Sequence, residues 1–176
     1  MDRLDSTRRL EIEKNRHYLK TIAEILLLCG RQDLALRGHH ESQSSSNRGN
    51  FLEILQIISR HDKIVEDRMV SGPRNATYIS AGIQNSILKI LGDIVRNVVC
   101  NDIKEAEMFS LLVDETKDLS KKEQVAIVLR YVDSKGMLHE QFLTFVEAGS
   151  LTAESLTKYI LDTLQKFHFD PKWIIS

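Results

Sequence analysis

A change of hydrophobic period near residue 107 constrains this chain more than any other feature. Before it, apolar residues recur at three- and four-residue intervals; after it comes an apolar run, Phe109-Ser-Leu-Leu-Val113, that ends on Asp114 and Glu115 and is followed by two more strand-like segments. Such an order builds helices first and a small sheet second. A buried strand that ends on acids delivers a carboxylate to the rim of a sheet. Ligand and catalytic groups collect there in α/β folds, so Asp114 is the residue placed for chemistry. Glu115 points to the other side of the strand and reads as solvated.

Leu19, Ile22, Ile25, Leu26 and Cys29 share one face of a helix from about residue 6 to 29, with Gly30 as its stop. His39 to Asn50 is a polar loop, and Asn50 caps a second helix that carries Phe51, Leu52, Ile54, Leu55 and Ile58 and ends near His61. The Ser71-Gly72-Pro73 turn precedes a third helix, from about Ser80, with its stripe at Ile83, Ile87, Leu91, Ile94 and Val98. Beyond the first strand and a charged turn from Lys117 to Lys122, Val125 to Val132 is apolar on both faces, as a central strand requires. The Ser134-Lys-Gly136 turn leads into a third strand, Leu138 to Val146, completing an antiparallel meander. Thr152 caps a fourth helix with Leu156, Ile160, Leu164 and Phe167 inward, and Asp170-Pro171 ends it. Trp173-Ile-Ile175 then supplies a short strand parallel to the first, by a right-handed crossover. The fold class is α+β (mixed α/β): a helical region over 1–106, with the polar loop near 39–50, and a βββαβ unit over 107–176.

Composition removes several function classes. Lys plus Arg (24) nearly cancels Asp plus Glu (25), so no overall positive field holds a nucleic acid by its phosphates. Arg8, Arg9, Lys14, Arg16 and Lys20 make the first helix basic at its start, but Glu11 and Glu13 dilute that charge. The aromatic residues form no regular stacking platform for single strands. Two cysteines, Cys29 and Cys100, are too few for a disulfide framework or a Cys-rich zinc site. Ile25 to Cys29 is too short to cross a bilayer, and Met1 to Lys20 is too charged for a signal peptide, so the reading is an intracellular protein with no membrane partner. Nothing points to a small-molecule substrate.

A three-strand meander with an acid on its first strand, then a helix and a fourth strand, is how a ribonuclease-H-like fold opens. Three segments make the resemblance specific: Asn15-Arg-His-Tyr-Leu19; Leu36-Arg37-Gly38-His39 with Asn47-Arg-Gly49-Asn50-Phe51-Leu52-Glu53-Ile54-Leu55; and Phe109 to Thr116 with the strands after it. In these the chain resembles the hAT transposase group, most closely the domain of unknown function in transposase-derived proteins related to the MYM-type zinc-finger proteins. The similarity runs from about Asn15 onward; many relatives have Phe where Leu36 stands. The resemblance implies a DNA partner, a nuclear location, and Mg²⁺ or Mn²⁺ for an intact, active relative. In such enzymes carboxylates hold two metal ions about 3.5 to 4 Å apart, one activating the attacking oxygen and one stabilising the leaving oxygen. Asp114 matches the first carboxylate. The later Asp, in an Asp-Gly context, and the Glu of a later helix are not reached by Ser176. The implication for these residues is a vestigial or incomplete site, with no cofactor and no catalysis alone.

Other readings compete for each residue. An acid after a strand is often a turn former or cap. Arg37 and His39 can contact a partner, but with Gly38, Gly49 and Asn50 they read better as a motif that fixes the loop between helices. His40 reads as exposed, Lys117, Lys121 and Lys122 as a solvated turn that can touch phosphates, and Trp173 as core. Two function classes stay open: a DNA-processing protein represented by the first part of its catalytic region, and a domesticated nuclear module that acts through protein or DNA contacts without catalysis. A sheet ending at Trp173 to Ile175 leaves an edge and apolar surface, from which self-association is expected.

Overall fold

The computed structural model describes residues 2–42, 44–73, 77–117 and 123–175. Five helices and a three-stranded sheet follow one another as α1 (Asp2–Arg31), α2 (Asn50–Ser59), α3 (Lys63–Val70), α4 (Ala81–Ala106), β1 (Ser110–Lys117), β2 (Glu123–Val132), β3 (Leu138–Glu147) and α5 (Ala153–Phe167), with a short 3-10 turn at Pro171–Trp173. This is the mixed α+β class that the change of period demands. The chain divides into two compact units, Met1–Gly92 and Asp93–Ser176, and the division falls within α4.

The first unit is helical. Tyr18, Ile22, Ile25, Leu26 and Cys29 of α1 form a core with Phe51, Leu52 and Leu55 of α2 and Val65 of α3, and Ile87, Leu88 and Leu91 of α4 pack on it. Three boundaries differ from the sequence reading. Gly30 does not stop α1, which runs through Arg31 before Asp33 turns left-handed at φ 52°. Gly49, not Asn50, is the N-cap of α2; Asn50 is the first helical residue and its amide donates to Ala35 O at 2.8 Å. Helix α3 went unrecognised because its eight residues are too few to show a period, although Asp62 caps it by accepting from Ile64 N and Val65 N at 2.9 and 3.2 Å.

In the second unit the strand order is β1-β2-β3, both pairs antiparallel, so β2 is central as its apolar composition requires. Val125, Ile127, Leu129 and Tyr131 of β2 are buried with Val99, Cys100 and Ile103 of α4 and Leu164 of α5. Both helices cover the same face. Ile94 and Val98, placed on the buried stripe of α4 by spacing, are instead more than half exposed. The reason is rotational: α4 meets the sheet through Val99, Cys100 and Ile103, and Arg96 fixes that setting by donating to Leu143 O at 3.1 Å.

Strand β3 contains a bulge opposite Ile127 and Val128: Val128 faces Phe142 and Ile127 faces Thr144, leaving Leu143 as the extra residue. Leu143 is buried. The extra residue also brings Phe142 and Phe145, three apart in sequence, to the same uncovered face with ring centroids 4.7 Å apart. Thr152 caps α5 as read, accepting from Ser155 N at 3.3 Å. Leu156, Ile160 and Phe167 pack beside the buried Leu164, and Trp173 is partly buried on the same core. The anticipated fourth strand is reduced to one parallel bridge, Phe109 to Ile174, closed by Phe109 N to Trp173 O and Ile175 N to Phe109 O, each 2.9 Å. The charged turn with Lys121 and Lys122, and the Lys117 side chain, lie outside the described residues.

Candidate functional site

Asp114 is inside a strand rather than at its end. Strand β1 starts at Ser110 and continues through Asp114, Glu115 and Thr116, so the acids are paired with Ala126 and Val125 of β2. The apolar run misled because Phe109 contributes the bridge to Ile174, while the regular ladder to β2 starts one residue later and ends at Lys117. Leu112 and Val113 are 40% and 37% exposed, so β1 is an open edge strand rather than a buried one.

Alternation puts Asp114 on the uncovered face, in one row with Ala126 and Phe145; the next row is Leu112, Val128 and Phe142. Glu115 faces the opposite side, as read, and both acids are exposed. On the Asp114 face, Glu147 is opposite Gln124 on β3, and Glu140 is paired with Arg130 at 3.5 Å. Either is two strands from β1, about 9 to 10 Å sideways, which is too far to share an ion with Asp114. Among the described residues no three His, Cys, Asp or Glu side chains form a group able to hold a metal ion. Asp114 by itself does not fit a two-metal centre, and no step is derived through one.

The Arg-Gly-His and Asn-Arg-Gly-Asn segments come together in the first unit. Gly38 and Gly49 are in backbone contact: a Cβ on Gly38 would meet Asn47 O at 2.6 Å and Gly49 N at 2.9 Å, and one on Gly49 would meet Gly38 N at 2.3 Å. Gly49 also has φ 93° and ψ 153°, a region open essentially to glycine alone. Around this crossing Phe51 N donates to Leu36 O at 3.1 Å, Arg48 N to Glu53 Oε1 at 3.3 Å, and Gly49 N to Asn47 Oδ1 at 3.0 Å. Arg37 donates to Asn85 Oδ1 and, at 3.4 Å, to Ala81 O at the start of α4. His39 and His40 are exposed. These contacts give Arg37, Gly38, Gly49 and Asn50 the work of closing a loop onto helices. The sequence reading passed over Arg48, the residue that this crossing positions; its place between Asn47 and a glycine of forced conformation was the available signal.

Compared with known proteins, residues 2–174 match the family model DUF4371, described as the RNase-like domain of ZMYM1/FAM200. The protein called "52 kDa repressor of the inhibitor of the protein kinase" is similar in two organisms. The Homo sapiens and Mus musculus proteins are each 27% identical over 141 residues. The alignments cover 78% of this chain but 18% and 19% of those relatives, so the chain spans less than a fifth of their length. No solved structure matches it.

Proposed function

Because the chain belongs to the family of the ZMYM1/FAM200 RNase-like domain, we propose that it is transposase-derived, of hAT type, and that its 176 residues correspond to the first part of a transposase catalytic region without catalysing strand cleavage themselves. The observation that carries this reading is the setting of Asp114. Among the described residues it is on an exposed strand face with no companion carboxylate on that face closer than two strands away, so it offers a metal ion one weak ligand and leaves the ion largely hydrated. Asp114 is then a relic of, or one contribution to, a Mg²⁺ or Mn²⁺ site.

A second reading has its own support. The related human protein carries the name of a repressor, and this favours a nuclear module that works through protein or DNA contacts rather than chemistry. Incubating the purified chain with supercoiled plasmid and Mg²⁺ or Mn²⁺ tests the first reading. No nicking above background is the expected result. Metal-dependent nicking that Asp114→Asn abolishes would overturn it. Binding of duplex DNA without nicking, at physiological salt, would favour the regulatory module.

A further inference from the structure

The Gly38 and Gly49 crossing delivers Arg48 to the wall of a cavity of about 450 Å³ in the helical unit, together with Gln56, Arg60, Met69, Val70 and Ile79. Arg48 is partly buried, and its Nε has almost no exposed area and no hydrogen-bond acceptor among the described residues. An ionised N–H withdrawn from water without an acceptor costs about 1–3 kcal/mol or more. The fold sustains this because the backbone on both sides of Arg48 is fixed by glycines that no other residue can replace without collision.

On the cavity wall the arginines outnumber the acids, although outside the lining the Glu53 carboxylate accepts from the Arg48 backbone N–H at 3.3 Å. Arg60, exposed just beyond the end of α2, adds a second guanidinium to the same wall. Glu66 also lines the cavity, but Lys63 holds its carboxylate at 2.9 Å. Tyr18, which also lines the cavity, donates its hydroxyl to Thr77 O at 2.7 Å; burial pushes that phenol up to about 12, with Arg68 pulling the other way, so it adds no negative charge at neutral pH. Met69, Val70 and Ile79 supply an apolar flank, and Val70 is 78% exposed at the end of α3. Two guanidiniums beside an apolar wall suit an amphipathic anion, and the volume is that of a small-ligand site.

We propose that this cavity binds a small organic oxyanion, a carboxylate or a phosphate monoester on a short apolar stem. Arg48 and Arg60 pair with the oxygens, and Met69 and Ile79 cover the stem. The site is separate from Asp114 and does not depend on whether strand cleavage ever occurs.

The test uses the full chain with hexanoate and hexyl phosphate as probes, and hexanol, hexylammonium and inorganic phosphate as controls. The readouts are the NMR signals of the arginine Nε–H groups and the methionine methyls. Saturable shifts of the Arg48 Nε–H and the Met69 methyl are expected with at least one anion, at affinity tenfold or more above hexanol. Preference for hexanoate assigns a carboxylate ligand, and preference for hexyl phosphate a phosphate monoester. Arg48→Met should weaken binding tenfold or more. Arg60→Met, at an exposed position, should weaken it severalfold and keeps the test decisive if Arg48→Met fails to fold. No saturable shift, a response equalled by hexanol, hexylammonium or inorganic phosphate, or affinity unchanged in the folded variants would overturn the assignment.

Discussion

Replacing Gly49 by alanine should unsettle the helical unit far more than one methyl group suggests. Two costs add. At φ 93° and ψ 153° an L side chain is strained by about 1–3 kcal/mol. The new Cβ would also be 2.3 Å from Gly38 N, 2.5 Å from Arg37 C and 2.7 Å from Arg37 Cα, all backbone atoms that cannot rotate aside, for about another 1–3 kcal/mol of overpacking. Stiffening the unfolded chain returns only about 0.4–1 kcal/mol. The net expectation is a loss of roughly 1–5.5 kcal/mol. In urea this lowers the midpoint by about 0.5–3 M at an m-value near 2 kcal/mol/M, read by circular dichroism at 222 nm. Gly30→Ala is the matched control: it is helical, nothing approaches its Cβ within 4 Å, and the change should stabilise by up to about 1 kcal/mol. If Gly49→Ala is within about 0.5 kcal/mol of Gly30→Ala, the backbone crossing is not the constraint described, and the placement of Arg48 loses its cause.

The bulge in β3 predicts that Leu143→Ala costs about 2–5 kcal/mol, whereas Phe145→Ala, at a side chain 54% exposed, costs under about 1 kcal/mol by thermal denaturation; equal losses would place the register wrongly. Asp62→Ala should remove about 1 kcal/mol with the α3 cap at neutral pH. The His17 hydrogen bond, ahead of the Val65 and Ile64 backbone bonds, holds the Asp62 carboxyl below its usual range. Its contribution is therefore complete above the unfolded carboxyl value of about 4 and lost as pH falls through the lower folded value. The difference between wild type and Asp62→Ala in urea should shrink in that acid window, and a difference that grows there would contradict the sign. Asp114→Asn should leave the melting temperature within about a degree, since the residue is exposed and its strand pairing uses backbone atoms; a large drop would give Asp114 a structural role.

What could be read from the sequence was periodic or locally chemical. Ile22, Ile25, Leu26 and Cys29 repeat with a helix and are buried together, and the apolar run from Val125 onward marks the central strand. Thr152 caps α5 by a hydrogen bond to a residue three positions on, which is legible because its causes are adjacent. The family resemblance was legible too, since the motifs around Arg37, Gly49 and Phe109 are contiguous words.

Tertiary structure decided what depends on residues distant in sequence. An acid at the end of an apolar run cannot reveal where its strand pairing stops, because the ladder belongs to β2 as much as to β1; Asp114 therefore falls within the strand. A helical stripe cannot reveal which of its turns meets a sheet, so Ile94 and Val98 came out exposed while Val99 and Ile103 were buried. Two phenylalanines three apart belong on opposite sides of a regular strand, and only the bulge at Leu143 unites them. The anion cavity was least visible of all. Its wall draws on α1, α2, α3 and three connecting segments, and the cation in it is held there by a contact between Gly38 and Gly49 that neither glycine announces alone. Sequence by itself thus determined the order of the longer helices and of the three sheet strands, through local backbone preference and side-chain period. Packing between distant segments determined which faces are covered and where charge is left without a partner.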